Sequence, residues 1–284
     1  MPKKILMTIG AHADDIEFSA GGTCLKYHKA GYDIDYIMST NNMSGQLHIV
    51  EKDNSITRKE CIPEKMMPIR KRECDKAASM LGAVPIHLDH PQRHYAGTDG
   101  TKITEGYGIP SPCGIPMERP PIMTAHEDAS SVRRLAEIIL ERGPEAVLTH
   151  SPVTESPEHY ATALLVAKAC RQAMANEYEG LLLFWNEQTQ STFLRNTFCS
   201  WDSFIDISEF SQKKYDLIRC HITMVPFPER MDYLDFSPWC GCAVAEPFNI
   251  AMFENKLKAT GDFSEEIIRN YKKTFMEARC ASAF

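Results

Sequence analysis

"KILMTIGAHADDIEFSAGGTCLKYHKAGYDIDYIMST", residues 4–40, decides the fold. It opens on "KILMTIGA", a continuous apolar run of strand length, and closes on a second, "GYDIDYIMST". Between them "DIEFSAGGTCLKYHKAG" carries apolar residues at roughly helical spacing and stops at a glycine. The stretch therefore reads as a strand, helix, strand unit.

The alternation continues along the chain. A helical pattern at 67–83 precedes the strand-like "VPIHLDH" (84–90), and another at 128–143 precedes "PEAVLTH" (144–150). Residues 158–178 read as a helix and "GLLLFWNE" (180–187) as a strand; "FIDIS" (204–208) then opens a further helix that runs on through 209–222. Such alternation predicts an α/β fold with a Rossmann-like, mostly parallel sheet and helices on both faces. The pattern crosses every midpoint boundary, so a single domain over 1–284 is expected. Its longest irregular stretch, 90–128, is dense in Gly, Pro, Ser and Thr, as in functional lids and mobile loops.

Charge and composition remove several classes. Lys and Arg number 31 against 38 Asp and Glu, a formal charge of -7 with no basic stripe, which argues against nucleic acid as a partner. No apolar run is long enough to span a membrane, and the first apolar run meets His12 too early to resemble a signal peptide. Ten cysteines without regular spacing read as reduced thiols, and a cytoplasmic location is expected. The "CGC" at 240–242 has no companion pair at finger-like spacing and reads as buried thiols.

In open α/β sheets, ligands collect outside the carboxyl ends of the strands. His12, Asp14 and Asp15 stand just after the first strand. Imidazole nitrogens and carboxylate oxygens are good zinc ligands, and a catalytic zinc takes three of them and leaves a position for water. His12 and Asp15 supply two, leaving Asp14 as a carboxylate free to take a proton. The same residues alone read equally well as caps of the following helix, since Asp favours helix N-termini. A second strand end, "AVLTHSPVTESPEH", brings His150 and His159 to the same edge and makes a third ligand available.

These residues resemble the PIG-L or LmbE-like N-deacetylases. The first motif of that family, A-H-P-D-D-x-E followed by Phe and a Gly-Gly pair, stands here as "AHADDIEFSAGG". Its Arg- and Glu-bearing helix ending in Leu-Gly is similar to "IRKRECDKAASMLGA", and its T-H-W-P-V-D-T-H-P-D-H block to "THSPVTESPEH". Late "D-I-S" and "A-E-x-F" segments match "IDIS" and "AEPF", so the resemblance covers nearly the whole chain. It implies a Rossmann-like fold and metal-dependent hydrolysis of an acetamide on an N-acylated amino sugar, glycoside or related small molecule. The cofactor implied is zinc or another divalent metal, and homo-oligomers are common among related proteins. Carried over residue by residue, His12, Asp15 and His159 correspond to metal ligands and Asp14 to the general base, with Arg70 contacting substrate.

The sequence also departs from the family pattern. Ala13 replaces a proline, and Ser156 and Glu158 stand where the family has a histidine that assists the tetrahedral intermediate or leaving amine and an aspartate that orients it. Serine is no general acid near neutral pH but can donate a hydrogen bond to an oxyanion, so Ser156 and the nearby His150 are read as substrate-binding. Asp14 can instead shuttle the proton itself, and His150, His126 and His221 are further candidates. The same departure leaves two alternatives: a zinc-dependent hydratase or lyase on a small carboxylate, and a degenerate homologue that binds ligand without turnover.

Overall fold

A computed structural model describes residues 4–53, 55–96, 102–104, 119–185, 201–224, 244–251 and 258–281. The opening stretch forms β1 (Ile5–Gly10), α1 (Asp15–Lys29) and β2 (Asp33–Thr40), with β1 wholly buried. An unbroken apolar run suits a strand covered on both faces. Acidic Asp15 and Glu17 lie in the first turn of α1 and Lys26, His28 and Lys29 in its last, each sign matching the helix dipole.

A two-stranded hairpin, β3 (Gln46–Val50) with β4 (Ile56–Glu60), follows, then α2 (Pro63–Met80) and β5 (Ile86–His90). The region expected to be irregular contains a second hairpin, β6 (His94–Ala96) with β7 (Lys102–Thr104), and a single helical turn, α3 (Ile122–Ala125). Residues 97–101 and 105–118 of that region lie outside the described residues, as does "CGC" at 240–242.

Next come α4 (Ala129–Arg142), β8 (Ala146–Thr149), α5 (Pro157–Met174) and β9 (Leu181–Trp185). The Asp128 side chain accepts the Ser131 amide at the start of α4, and Gly143 ends the helix at φ 56, a left-handed position that glycine adopts without strain. The chain then adds β10 (Ser203–Asp206), a short 3-10 turn, α6 (Ser211–Ile218), β11 (Ala245–Ala251) and α7 (Asp262–Ala281). "FIDIS", read as the opening of a helix, is thus mostly strand.

The main sheet has seven strands in the order β10-β11-β9-β8-β1-β2-β5. From β5 to β9 every pairing is parallel, while β11 runs antiparallel to both β9 and β10. Successive residues of a strand face opposite sides, and β1 divides accordingly. Leu6 joins a core with Ile16, Ala20, Leu217 and Phe263, while Met7 and Ile9 join another with Leu135, Ile139, Leu165 and Ala169. Helices therefore cover both faces, and the fold is α/β as the alternation predicts.

The glycine pair in α1 has a specific partner. Glu246 of β11 accepts the amides of Gly22 (2.9 Å) and Thr23 (2.7 Å), and Lys214 of α6 donates to the same carboxylate at 2.5 Å. Interior helical amides ordinarily have the carbonyl four residues back as acceptor. A carboxylate reaches these two because glycine leaves room: a Cβ on Gly22 would lie 2.4 Å from Ile207 Cδ1 and 3.1 Å from Glu246 Oε1. "SAGG", "IDIS" and "AEPF", distant in sequence, meet at one point.

Candidate metal centre

Strand order reverses between β1 and β8, and the loops leaving their carboxyl ends carry His12 and His150. The third contribution comes from α5. Ser156 is its N-cap, its Oγ accepting the His159 amide at 3.4 Å, and this sets Glu158 and His159 in the first turn facing the end of β1.

His12, Asp15 and His159 converge so that one donor atom from each lies within 4.8 Å of the others. His12 Nδ1 is 3.1 Å from His159 Nε2 and 3.5 Å from Asp15 Oδ2, and His159 Nε2 is 3.4 Å from Asp15 Oδ1. Donors about 2.0–2.1 Å from a tetrahedral ion are separated by about 3.3–3.4 Å, so two imidazoles and a carboxylate at these spacings fit a divalent metal such as zinc. His12 Nε2 meets Glu158 Oε2 at 2.6 Å. A donor hydrogen on that nitrogen leaves Nδ1 bare toward His159 and Asp15, as a metal ligand requires.

Charge follows the same arrangement. Burial alone would lower the His12 pKa, but Asp15 and Glu158 outweigh it and raise it to about 9. Burial would raise Asp15, yet His159, His150 and His12 hold it well below the usual carboxylate range. Glu158 is likewise lowered to about 2, burial being overcome by His12, the Arg93 amide and Gln92. Asp14 goes the other way. Burial and neighbouring Asp15 raise it to about 6, against the opposing pull of Arg70, His221 and His12.

Asp14 occupies the N-cap position of α1 but makes no side-chain cap, and its backbone is left-handed at φ 104. Simple capping therefore does not account for it. Arg70, expected to contact substrate, is only 2 % exposed. Its Nη2 donates to Ala13 O (2.5 Å) and lies 3.3 Å from Asp14 Oδ1, while Nη1 donates to Ser44 O at 3.4 Å. The guanidinium thus faces the Asp14 turn and its neighbours from beneath.

His150, expected at the substrate, is also turned inward. It is 1 % exposed, stacks on His159 with ring centroids 4.0 Å apart and abuts Trp185. Its Nε2 lies 2.9 Å from the Ala11 amide nitrogen and 3.0 Å from Asp15 Oδ2, so its contacts are with the turn that carries His12 and Asp15. Trp185 is fully buried, a core aromatic as its setting in β9 implies. His221 is fully buried 3.3 Å from Glu17, and His126 lies beside Glu127 at the end of α3.

Two residues that the sequence did not single out complete the surround. Gln92 bridges the loop after β2 to α5, accepting the Ser44 amide (2.8 Å) and donating to Glu158 Oε2 (3.2 Å). Asn42 accepts the Ala13 amide at 2.7 Å. Gln92 and Asn42 follow the parallel strands β5 and β2 at their carboxyl ends, the one signal that could have found them. Asn42 also walls a cavity of about 430 Å³ whose other polar lining includes Asn41, Glu64, Lys71, His87 and Asp89.

Residues 7–170 match the family model PIG-L, GlcNAc-PI de-N-acetylase. The chain belongs to the PIG-L family. The matched span holds His12, Asp14, Asp15 and His159 and most of the parallel sheet.

Solved structures share the fold. The 4-carboxy-2-hydroxymuconate hydratase from Pseudomonas putida is 18% identical with a TM-score of 0.62, over 90% of this chain and 99% of that one. The N,N'-diacetylchitobiose deacetylase from Pyrococcus horikoshii is 16% identical with a TM-score of 0.58, over 88% and 84%. The teicoplanin deacetylase Orf2, solved in a zinc-inhibited form, is 15% identical with a TM-score of 0.58, over 89% and 100%. Among the described residues no helix is long and apolar enough to cross a membrane.

Proposed function

We propose that this PIG-L family protein is a metal-dependent N-deacetylase that removes an acyl group, acetyl in the simplest case, from an amino sugar or related small molecule. The observation that carries this reading is the convergence of His12, Asp15 and His159 at metal-ligand spacing beside Asp14. A divalent cation held there supplies polarisation of the acyl carbonyl and of a water molecule. Zinc suits the donor set; another divalent metal is the alternative, because a teicoplanin deacetylase of the same fold has a zinc-inhibited form.

Asp14 is the general base. Its carboxyl, raised to about 6, is mostly ionised at neutral pH yet basic enough to accept a proton. As the water oxygen bonds to the acyl carbon, its proton passes to Asp14. When the carbon-nitrogen bond breaks, the same proton passes to the departing nitrogen, giving amine and carboxylic acid, which at neutral pH exchange a proton to become ammonium and carboxylate. Ser156, occupied as a helix cap, gives no proton near neutral pH, which is why one carboxyl is assigned both transfers.

A second reading, addition of water to a small unsaturated carboxylate, is favoured by the same Ser156, since hydration expels no amine. A screen of N-acetylated sugars and glycosides against metal-loaded protein, read as released acetate, separates the two. Deacetylation predicts acetate from the parent and none from Asp14→Asn. A purified protein that binds no divalent metal, or an Asp14→Asn variant as active as the parent, overturns it.

A further inference from the structure

We propose that Asn42 is a positioning residue for Asp14, acting through the Ala13 amide. The inference rests on the reading of Asp14 as general base.

Asp14 is held at φ 104, a backbone conformation that a residue with a Cβ adopts only under strain and keeps only when its surroundings enforce it. Enforcement comes through the preceding residue. Ala13 is fully buried; its N–H donates to Asn42 Oδ1 at 2.7 Å and its carbonyl accepts Arg70 Nη2 at 2.5 Å. The residue before the base is thus held at both its amide and its carbonyl.

Asn42 is itself fixed. It is 2 % exposed and sits at φ 55, a left-handed position that asparagine tolerates better than most residues. Its Nδ2 and its backbone N–H reach Thr40, at 3.4 Å each, and Thr40 Oγ1 in turn donates to Ala11 O at 2.6 Å. The loops after β1 and β2 are therefore joined at residues 11 and 13, on either side of His12. A proline at 13 would lock φ and carry no N–H. Alanine frees φ and presents an N–H that, buried, needs an acceptor. Asn42 Oδ1 meets both needs at once, so Ala13 and Asn42 form one unit.

The test is a cycle of Asn42→Gly, Ala13→Pro and the double variant, each assayed for kcat, KM, metal affinity and thermal midpoint. Asn42→Gly leaves the Ala13 amide without its acceptor and is expected to lower kcat about 10- to 100-fold, with KM and metal affinity changed less than about threefold. Ala13→Pro alone drives the ring carbons toward Asn42 Oδ1 and is also impaired. Together they restore kcat, because proline supplies the restraint and glycine the space. Recovery of kcat without a matching change in KM separates positioning from loss of stability.

Hydrogen exchange of residues 11–15 gives a readout that needs no substrate. Protection falls in Asn42→Gly and returns in the double variant; protection unchanged in Asn42→Gly overturns the proposal. Asp14→Asn is run in parallel. If it keeps the parent kcat, the base assignment and the positioning proposal fall together. If it is inactive while Asn42→Gly retains the parent kcat, or while the double variant is as slow as the product of the two singles, the positioning proposal fails alone.

Discussion

Glu158 Oε2 sits 2.6 Å from His12 Nε2, a carboxylate on the outer nitrogen of an imidazole whose inner nitrogen faces His159 and Asp15. The Arg93 amide and Gln92 Nε2 also donate to that carboxylate, which fixes its direction. Carboxylates in this position orient a ligand histidine and raise its basicity. Glu158→Gln keeps the shape and removes the charge. It is expected to weaken metal binding about 10- to 100-fold, measured by competition with a chromophoric chelator. Equal affinity in the two proteins would remove Glu158 from the metal's support.

Protons compete with the metal for the same site. His12, raised to about 9 by Asp15 and Glu158 against burial, is protonated at neutral pH in the metal-free protein, and binding must expel that proton. Apparent affinity should rise about tenfold per pH unit from about 6.5 to 8.5 and level off above about 9. Calorimetric titrations in buffers of different ionisation heat count the released proton. Free metal at 100 times its Kd should also add about 2.7 kcal/mol of stability, seen as a higher unfolding midpoint that chelator reverses.

Gly22 is constrained by what surrounds it. Its missing side chain is the space occupied by Ile207 and approached by Glu246. Gly22→Ala should destabilise the protein by about 1–3 kcal/mol through overpacking, read from chemical denaturation. Gly31, where a Cβ meets nothing within 4 Å but φ is 90, provides the contrasting case of conformational strain without a steric clash.

The α4 cap gives a stability term with a defined pH window. Hydrogen bonds from the Ser130 and Ser131 hydroxyls and the Ser131 amide hold Asp128 at about 2, below the ordinary value near about 3.9. A carboxyl depressed on folding stabilises fully above its unfolded pKa, and that stabilisation is lost as pH falls through the folded one. Asp128→Ala should therefore cost about 1 kcal/mol at neutral pH, reduced by solvent screening at this partly exposed position. Urea midpoints of variant and parent should converge as pH falls from about 4 toward 2. A constant gap would assign the effect to something other than the carboxylate.

The parallel core was legible because β1 and β2 are continuous apolar runs around a helical pattern, and the two strand ends carrying His12 and His150 could be assigned to one edge. What lay beyond reach was the direction of side chains. Arg70, carried over from the family resemblance as a substrate contact, is buried by tertiary packing against Ala13 and Asp14. Asn42 and Gln92 carry no local pattern, since each acts on a partner brought near only by the sheet. "AEPFNIA" gave no strand signal through its Pro and Asn, although it pairs with both β9 and β10.

Glu246 also bears on where this chain can be divided. The span 7–170 contains His12, Asp15 and His159, but the amides of Gly22 and Thr23 find their carboxylate more than two hundred residues downstream. A fragment ending at 170 would retain the ligands and lose the brace on the helix that follows them. In a fragment extended to residue 185, so that β9 is present to pair with β11, adding residues 201–251 as a separate peptide should restore metal affinity, making the antiparallel edge a complementing half rather than an appendage.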